Sequence, residues 1–126
     1  MLLPDFYHIT QFQPSGNKLS AVIRLNPEHE IYSGHFPEQA VVPGVVQLQI
    51  IKELLEQAVA KDLFLGEVTM AKYLRMITPA ENPELKIDIE WSVDETGIYQ
   101  INSTISKNDT VFTKLRAKLY ESGRHE

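Results

Sequence analysis

A two-residue alternation runs, with brief interruptions, from residue 84 to residue 120, and it constrains this chain more than any other feature. In 84–93, Leu85, Ile87, Ile89, Trp91 and Val93 point one way, while Glu84, Lys86, Asp88, Glu90 and Ser92 point the other. Period two marks a half-buried strand. Asp94-Glu95-Thr96-Gly97 then has turn chemistry, and a second strand is expected over 98–106. Lys107-Asn108-Asp109 turns the chain again, and 110–120 places Val111, Thr113, Leu115, Ala117 and Leu119 on one face. Hairpins this closely spaced imply antiparallel pairing.

The N-terminal part extends the sheet. Leu19, Ala21, Ile23 and Leu25 share one face of 18–25, with Lys18, Ser20 and Arg24 on the other. Pro14-Ser15-Gly16-Asn17 precedes them as a turn, so 6–12 is expected as the hairpin partner. A further strand with weaker alternation is expected over 67–77, ending in the proline-bounded loop from Thr78 to Pro83.

One long helix is expected from about Pro43 to Lys61. Proline suits a first helical turn, where its missing N–H costs nothing. At about 100° per residue, Leu48, Ile50, Ile51, Leu54, Leu55, Ala58 and Val59 fill an apolar arc of roughly 180°. Gln49, Lys52, Glu53, Glu56 and Gln57 form a polar stripe opposite. So wide an arc suits a helix wrapped by a curved sheet. The fold class is α+β, and 126 residues fit one domain.

Composition narrows the function. The chain has no cysteine, which removes disulfides and thiolate metal sites. Its net charge of −5, from 12 basic and 17 acidic residues, argues against nucleic acid as a partner. Lys114, Arg116 and Lys118 alternate along one strand and read as a solvated sheet face. His8, His29 and His125 show no ligand spacing, so no metal and no cofactor is expected. The N-terminus MLLPDFYHIT lacks the pattern of a secretory signal, and no apolar stretch approaches the ~20 residues that span a bilayer. The expected location is the cytoplasm.

Residues 34–53 read GHFPEQAVVPGVVQLQIIKE and carry the chemistry. Phe36 and Pro37 restrict the backbone around His35. Pro43-Gly44 leads into the helix, whose first N–H groups point outward with partial positive charge. Gly44 has no side chain to block close approach. A thioester carbonyl at the Gly44 N–H would be polarised as an enolate develops, with His35 nearby as a base of suitable pKa. Removal of an α-proton from a thioester needs that combination.

His-Phe-Pro followed by Val-x-Pro-Gly-Val resembles the signature of the 3-hydroxyacyl-acyl-carrier-protein dehydratases of fatty acid and polyene synthesis. The likeness continues at Ala71-Lys72-Tyr73-Leu74-Arg75-Met76-Ile77-Thr78-Pro79 and covers most of the chain. It implies a hotdog fold: a curved antiparallel sheet around one long helix, two protomers pairing, and an acyl tunnel at their interface. It implies His35 as the catalytic histidine and Gly44 as the donor to the thioester carbonyl. Phe36, Pro43, Val45 and Tyr73 are then candidates for substrate binding. The substrate would be an acyl carrier protein or coenzyme A thioester, and the assembly a homodimer or an oligomer of dimers.

The family's acid lies fourteen positions after the histidine, and here that position holds Gln49. An amide cannot pass a proton to a leaving hydroxyl. Glu53 lies one helical turn further, on the same stripe. The pair therefore reads in three ways: a solvated helix face, a site in which Gln49 holds the hydroxyl or a water by hydrogen bonding or Glu53 replaces the missing acid, or the mark of a catalytically silent subunit. Hotdog thioesterase chemistry is a further alternative. Lys72 and Arg75 read either as contacts for an acidic carrier or as surface.

Overall fold

The computed structural model describes residues 5–32 and 41–122. His35 and Phe36 lie outside the described residues, as does His125. Among the described residues, six strands and one helix follow in the order β1 (Tyr7–Ser15), β2 (Lys18–Leu25), α1 (Gly44–Val59), β3 (Leu63–Tyr73), β4 (Glu84–Val93), β5 (Tyr99–Lys107) and β6 (Thr110–Glu121), with a 3₁₀ turn at Glu30–Tyr32. The strands form one sheet in the order β1-β2-β4-β5-β6-β3. Every pairing is antiparallel. The curved sheet wraps α1, the arrangement called a hotdog.

The alternation set the register. Leu19, Ile23, Leu85, Ile87, Ile89 and Ile105 face inward and are fully buried, and Ile50, Ile51, Leu54 and Leu55 of α1 fill the space they enclose. Full burial of side chains of this size stabilises by about 1.5–3 kcal/mol each. Outward residues pair across strands, as in Lys18 with Glu90 at 3.4 Å and Arg24 with Glu84 at 3.4 Å. Gly16 takes φ +60 in the two-residue turn between β1 and β2, a conformation that glycine adopts without strain.

Three boundaries differ clearly from expectation. β1 runs through Pro14 to Ser15 rather than stopping at 12, which leaves only Gly16-Asn17 as the turn. The helix ends at Val59 because Ala60 turns left-handed at φ 58, and its N–H closes on Glu56 O. The third strand spans Leu63–Tyr73 rather than 67–77. Glu56 explains the early start: its Oε2 accepts the Leu63 N–H at 2.8 Å while also pairing with Lys52 at 3.1 Å. At the other end the chain leaves the ladder after Tyr73. β3 is the edge strand beyond β6, and most of its side chains are exposed. Burial did not impose a clear alternation there.

Candidate functional site

The helix start is built from four interlocked pieces. Pro43, at φ −62 and ψ 153, forms the N-cap, so α1 proper begins at Gly44. Pro43 O accepts the N–H groups of Val46 and Gln47, each at 3.1 Å. The N–H groups of Gly44 and Val45 belong to the set that a helix leaves without internal acceptors. Val42 is tied to the segment after β3 by its N–H to Ile77 O at 2.8 Å. The buried Gln47 amide locks this region to the sheet: its Nε2 donates to Val42 O at 3.1 Å, and its Oε1 accepts the Thr113 hydroxyl of β6.

A cleft of about 360 Å³ opens at this helix start, with Val42, Pro43, Gly44, Tyr73, Arg75 and Met76 among its walls. Tyr73 crosses the first turn, where a Cβ on Gly44 would stand 2.7 Å from Tyr73 Cζ. A side chain at position 44 would therefore have to displace the Tyr73 ring. Pro43, Gly44 and Tyr73 share the wall of this cleft. Val45 does not join them; it is 73% exposed and absent from the cleft wall.

A second polar group sits further along α1. Glu53 is only 7% exposed. Its Oε1 accepts the Tyr7 hydroxyl at 2.8 Å, and its Oε2 accepts the Gln49 amide Nε2 at 2.9 Å. The solvated-face reading of Glu53 is corrected: the sheet wraps the helix beyond its apolar arc and reaches this position. Burial, then the hydrogen bond to Glu53 and the charges of Glu53 and Glu56, push the Tyr7 phenol far above its ordinary range. At 1.5 Å rise per residue, Gln49 and Glu53 stand about 7.5 and 13.5 Å beyond Gly44 along the helix axis. Neither lines the cleft.

Sequence reasoning missed Tyr7, Gln47 and Thr113. Gln47 had a signal, being a polar residue between Val46 and Leu48 on the side that meets the sheet. Tyr7 had none, since an inward tyrosine on a strand reads as core. Among the described residues, no three His, Asp or Glu side chains gather as a metal would need. No helix among them is long and apolar enough to cross a membrane.

Residues 11–114 match the family described as ApeI-like, ApeI dehydratase. The 3-hydroxyacyl-[acyl-carrier-protein] dehydratase FabZ of Latilactobacillus sakei is 29% identical over 112 residues, covering 83% of this chain and 78% of its own. The enzyme of the same name from Clostridium acetobutylicum is 26% identical over 118 residues, covering 88% and 82%. Among solved structures, a chain of the dehydratase heterocomplex ApeI:P from Xenorhabdus doucetiae superposes with TM-score 0.71 at 20% identity, covering 90% of this chain and 96% of that one. A thioesterase from Staphylococcus aureus superposes with TM-score 0.68 at 10% identity, covering 95% and 97%. At such identities the structural likenesses speak for the fold alone.

Proposed function

Because this chain belongs to the ApeI-like dehydratase family, we propose that it eliminates water from a 3-hydroxyacyl thioester, carried on acyl carrier protein or coenzyme A, to give the trans-2-enoyl thioester. The observation that carries this reading is the Gly44 helix start opening into a largely apolar cleft beneath Tyr73. The thioester carbonyl accepts the Gly44 N–H, whose dipole stabilises the enolate oxygen. His35 takes the proton from C2. The C2–H electrons form the C2–C3 double bond, the C3–O bond breaks, and the departing hydroxyl receives, through Glu53, the proton that His35 took from C2 and leaves as water. Glu53, with Gln49 beside it, handles that hydroxyl. Phe36, Pro43 and Tyr73 contact the acyl or pantetheine part of the substrate.

Glu53 stands too far along its own helix to serve the Gly44 cleft of the same protomer. The reading therefore includes a homodimer in which each protomer's helix serves its partner's histidine. The edge strand β3 supports this. Among the described residues no strand pairs with its outer edge, and Phe64, Leu65, Val68 and Tyr73 are exposed on it, with Leu74, Met76 and Val45 exposed elsewhere. A cytoplasmic location and the pathway served belong to the same reading.

The test is an assay with a 3-hydroxyacyl carrier-protein substrate, following enoyl product and free thiol. Equal background rates for wild type and His35→Ala would sink the dehydratase. Thiol release without enoyl product would indicate a thioesterase instead. One observation favours a silent subunit as the second reading: both Glu53 oxygens are already engaged by its own protomer. Activity that appears only in Gln49→Glu, or only on mixing with a second dehydratase chain, would establish that alternative.

A further inference from the structure

We propose that Tyr7 is a positioning residue for Glu53, holding its carboxylate in the orientation that meets the substrate's 3-hydroxyl; the inference rests on the dehydratase reading above. The motivating fact is an ionisable side chain in an apolar interior. Glu53 lies on α1 beside Leu54 and Leu55, both fully buried. Removing a carboxylate from water is costly unless donors replace the water. Two donors do so here, from two different elements. Tyr7 comes from the first residue of β1, where it stands opposite Leu25 in the ladder. Gln49 comes from the preceding turn of α1 itself, four residues before Glu53.

Each donor takes a different oxygen. A carboxylate gripped at one oxygen can still swing about its side-chain torsions. One gripped at both, from a strand and from a helix, keeps one plane. A carboxylate has about four acceptor directions, and Tyr7 and Gln49 take two of them.

The chemistry of the two donors fits positioning. The amide of Gln49 does not titrate in this range. The Tyr7 phenol holds its proton well beyond the ordinary range, mainly through burial. Neither donor exchanges roles with Glu53 during turnover, so proton movement at the hydroxyl falls to the carboxyl alone. The inference also accounts for an acid at position 53 with an amide at position 49. With the amide first and the acid one turn later, the acid comes within reach of β1, and a phenol there supplies the second grip.

The experiment compares wild type, Tyr7→Phe, Glu53→Gln and the double variant on a 3-hydroxyacyl carrier-protein substrate, at a temperature where circular dichroism shows all four folded. Tyr7→Phe keeps the ring and removes only the donor. Misorientation of a reacting group costs up to roughly a hundredfold, so kcat is expected to fall at least about tenfold with KM within about twofold. In the Glu53→Gln background, the same change should cost less than about twofold, since a residue acting through Glu53 has nothing left to position. Equal kcat for wild type and Tyr7→Phe would overturn the positioning role while leaving the dehydratase standing. An undiminished Tyr7→Phe loss in the Glu53→Gln background would overturn it too, marking Tyr7 as structural. No enoyl product from wild type would remove the dehydratase reading, and the inference with it.

Discussion

Tyr73 lies across Gly44 so closely that a Cβ at position 44 would stand 2.7 Å from its Cζ and 2.8 Å from its hydroxyl oxygen. Gly44→Ala must therefore move the ring. Tyr73 is 47% exposed and can swing outward, but only by leaving the cleft wall. Overpacking of this kind costs about 1–3 kcal/mol. Against it stands the ordinary gain of alanine over glycine in a helix, about 0.8–1 kcal/mol in an interior position. The expected outcome is a sign change. Gly44→Ala lowers stability in the wild-type background and leaves it equal or higher in a Tyr73→Ala background. Urea unfolding of the four proteins checks this; the same loss in both backgrounds would show that the ring is not the obstacle.

The parts of the fold fixed by one face against the core were legible in the sequence. Strand β4 falls on 84–93 as its alternation requires, because Leu85, Ile87 and Ile89 face the core while Glu84, Lys86 and Glu90 face water. β3 was displaced by four residues because its side chains are mostly exposed, so no alternation in burial marked its start. At the site, Pro43 and Gly44 were legible since a helix start is written locally. The pairing of Tyr73 with Gly44 could not be read as a contact, since β3 and α1 meet only in the folded chain. Glu53 was misplaced for the same reason. A helical wheel sees its own neighbours, Gln49 and Gln57, and not the phenol arriving from β1 46 positions away in sequence.

Restoring an acid at position 49 should carry a cost that depends on pH. Gln49→Glu removes the 2.9 Å donor to Glu53 and sets a second carboxylate one turn from the first in a partly buried place. The two carboxylates resist ionising together. Protonating one of them is then easier in the folded state than in the unfolded chain. The stability of the variant is fullest below the unfolded carboxylate range, near pH ~4.3, and is lost as pH rises above it. The variant should be less stable than wild type by about 1–3 kcal/mol at pH 8, and by clearly less at pH 5. A difference independent of pH, from thermal melts in matched buffers, would contradict the buried pairing.

Tyr32 offers a stabilising change. It is 6% exposed, and its hydroxyl has no hydrogen-bond partner among the described residues. An unpartnered buried hydroxyl costs about 1–3 kcal/mol. Tyr32→Phe keeps the ring against Phe6, whose centroid lies 5.6 Å away, and should raise stability by about 1 kcal/mol, or roughly 4 °C in Tm. Burial also pushes this phenol up to about 12. Its neutral form is the folded one, while the unfolded phenol ionises near ~10. Tyr32 therefore weakens the wild-type fold increasingly as pH rises from about 10 towards 12, and the advantage of Tyr32→Phe should widen over that window. Melting curves at pH 8 and pH 10.5 measure both effects; a lower Tm for the variant at pH 8 would mean that the hydroxyl is satisfied in solution.

The hydroxyl of Thr113 and the amide of Gln47 should behave as one unit. Both are buried, at 1% and 4% exposure, and they join β6 to the helix start. Gln47 in turn holds Val42 O, which sits in the wall of the cleft. Thr113→Val preserves shape but leaves Gln47 Oε1 without its donor, and Gln47→Leu leaves the Thr113 hydroxyl without its acceptor. A buried polar group stripped of its partner costs about 1–3 kcal/mol, whereas replacing both partners by apolar groups of similar shape is close to neutral. The single variants should each lose that amount, and the double variant less than their sum by about 1 kcal/mol or more. The double variant still lacks the bond to Val42 O, and of the two named ties on Val42 it keeps the N–H to Ile77 O. Its amide exchange at residues 42–46 should therefore run faster than in wild type even where global stability is recovered. Additive losses in the cycle would mean that helix start and sheet are not coupled through this pair.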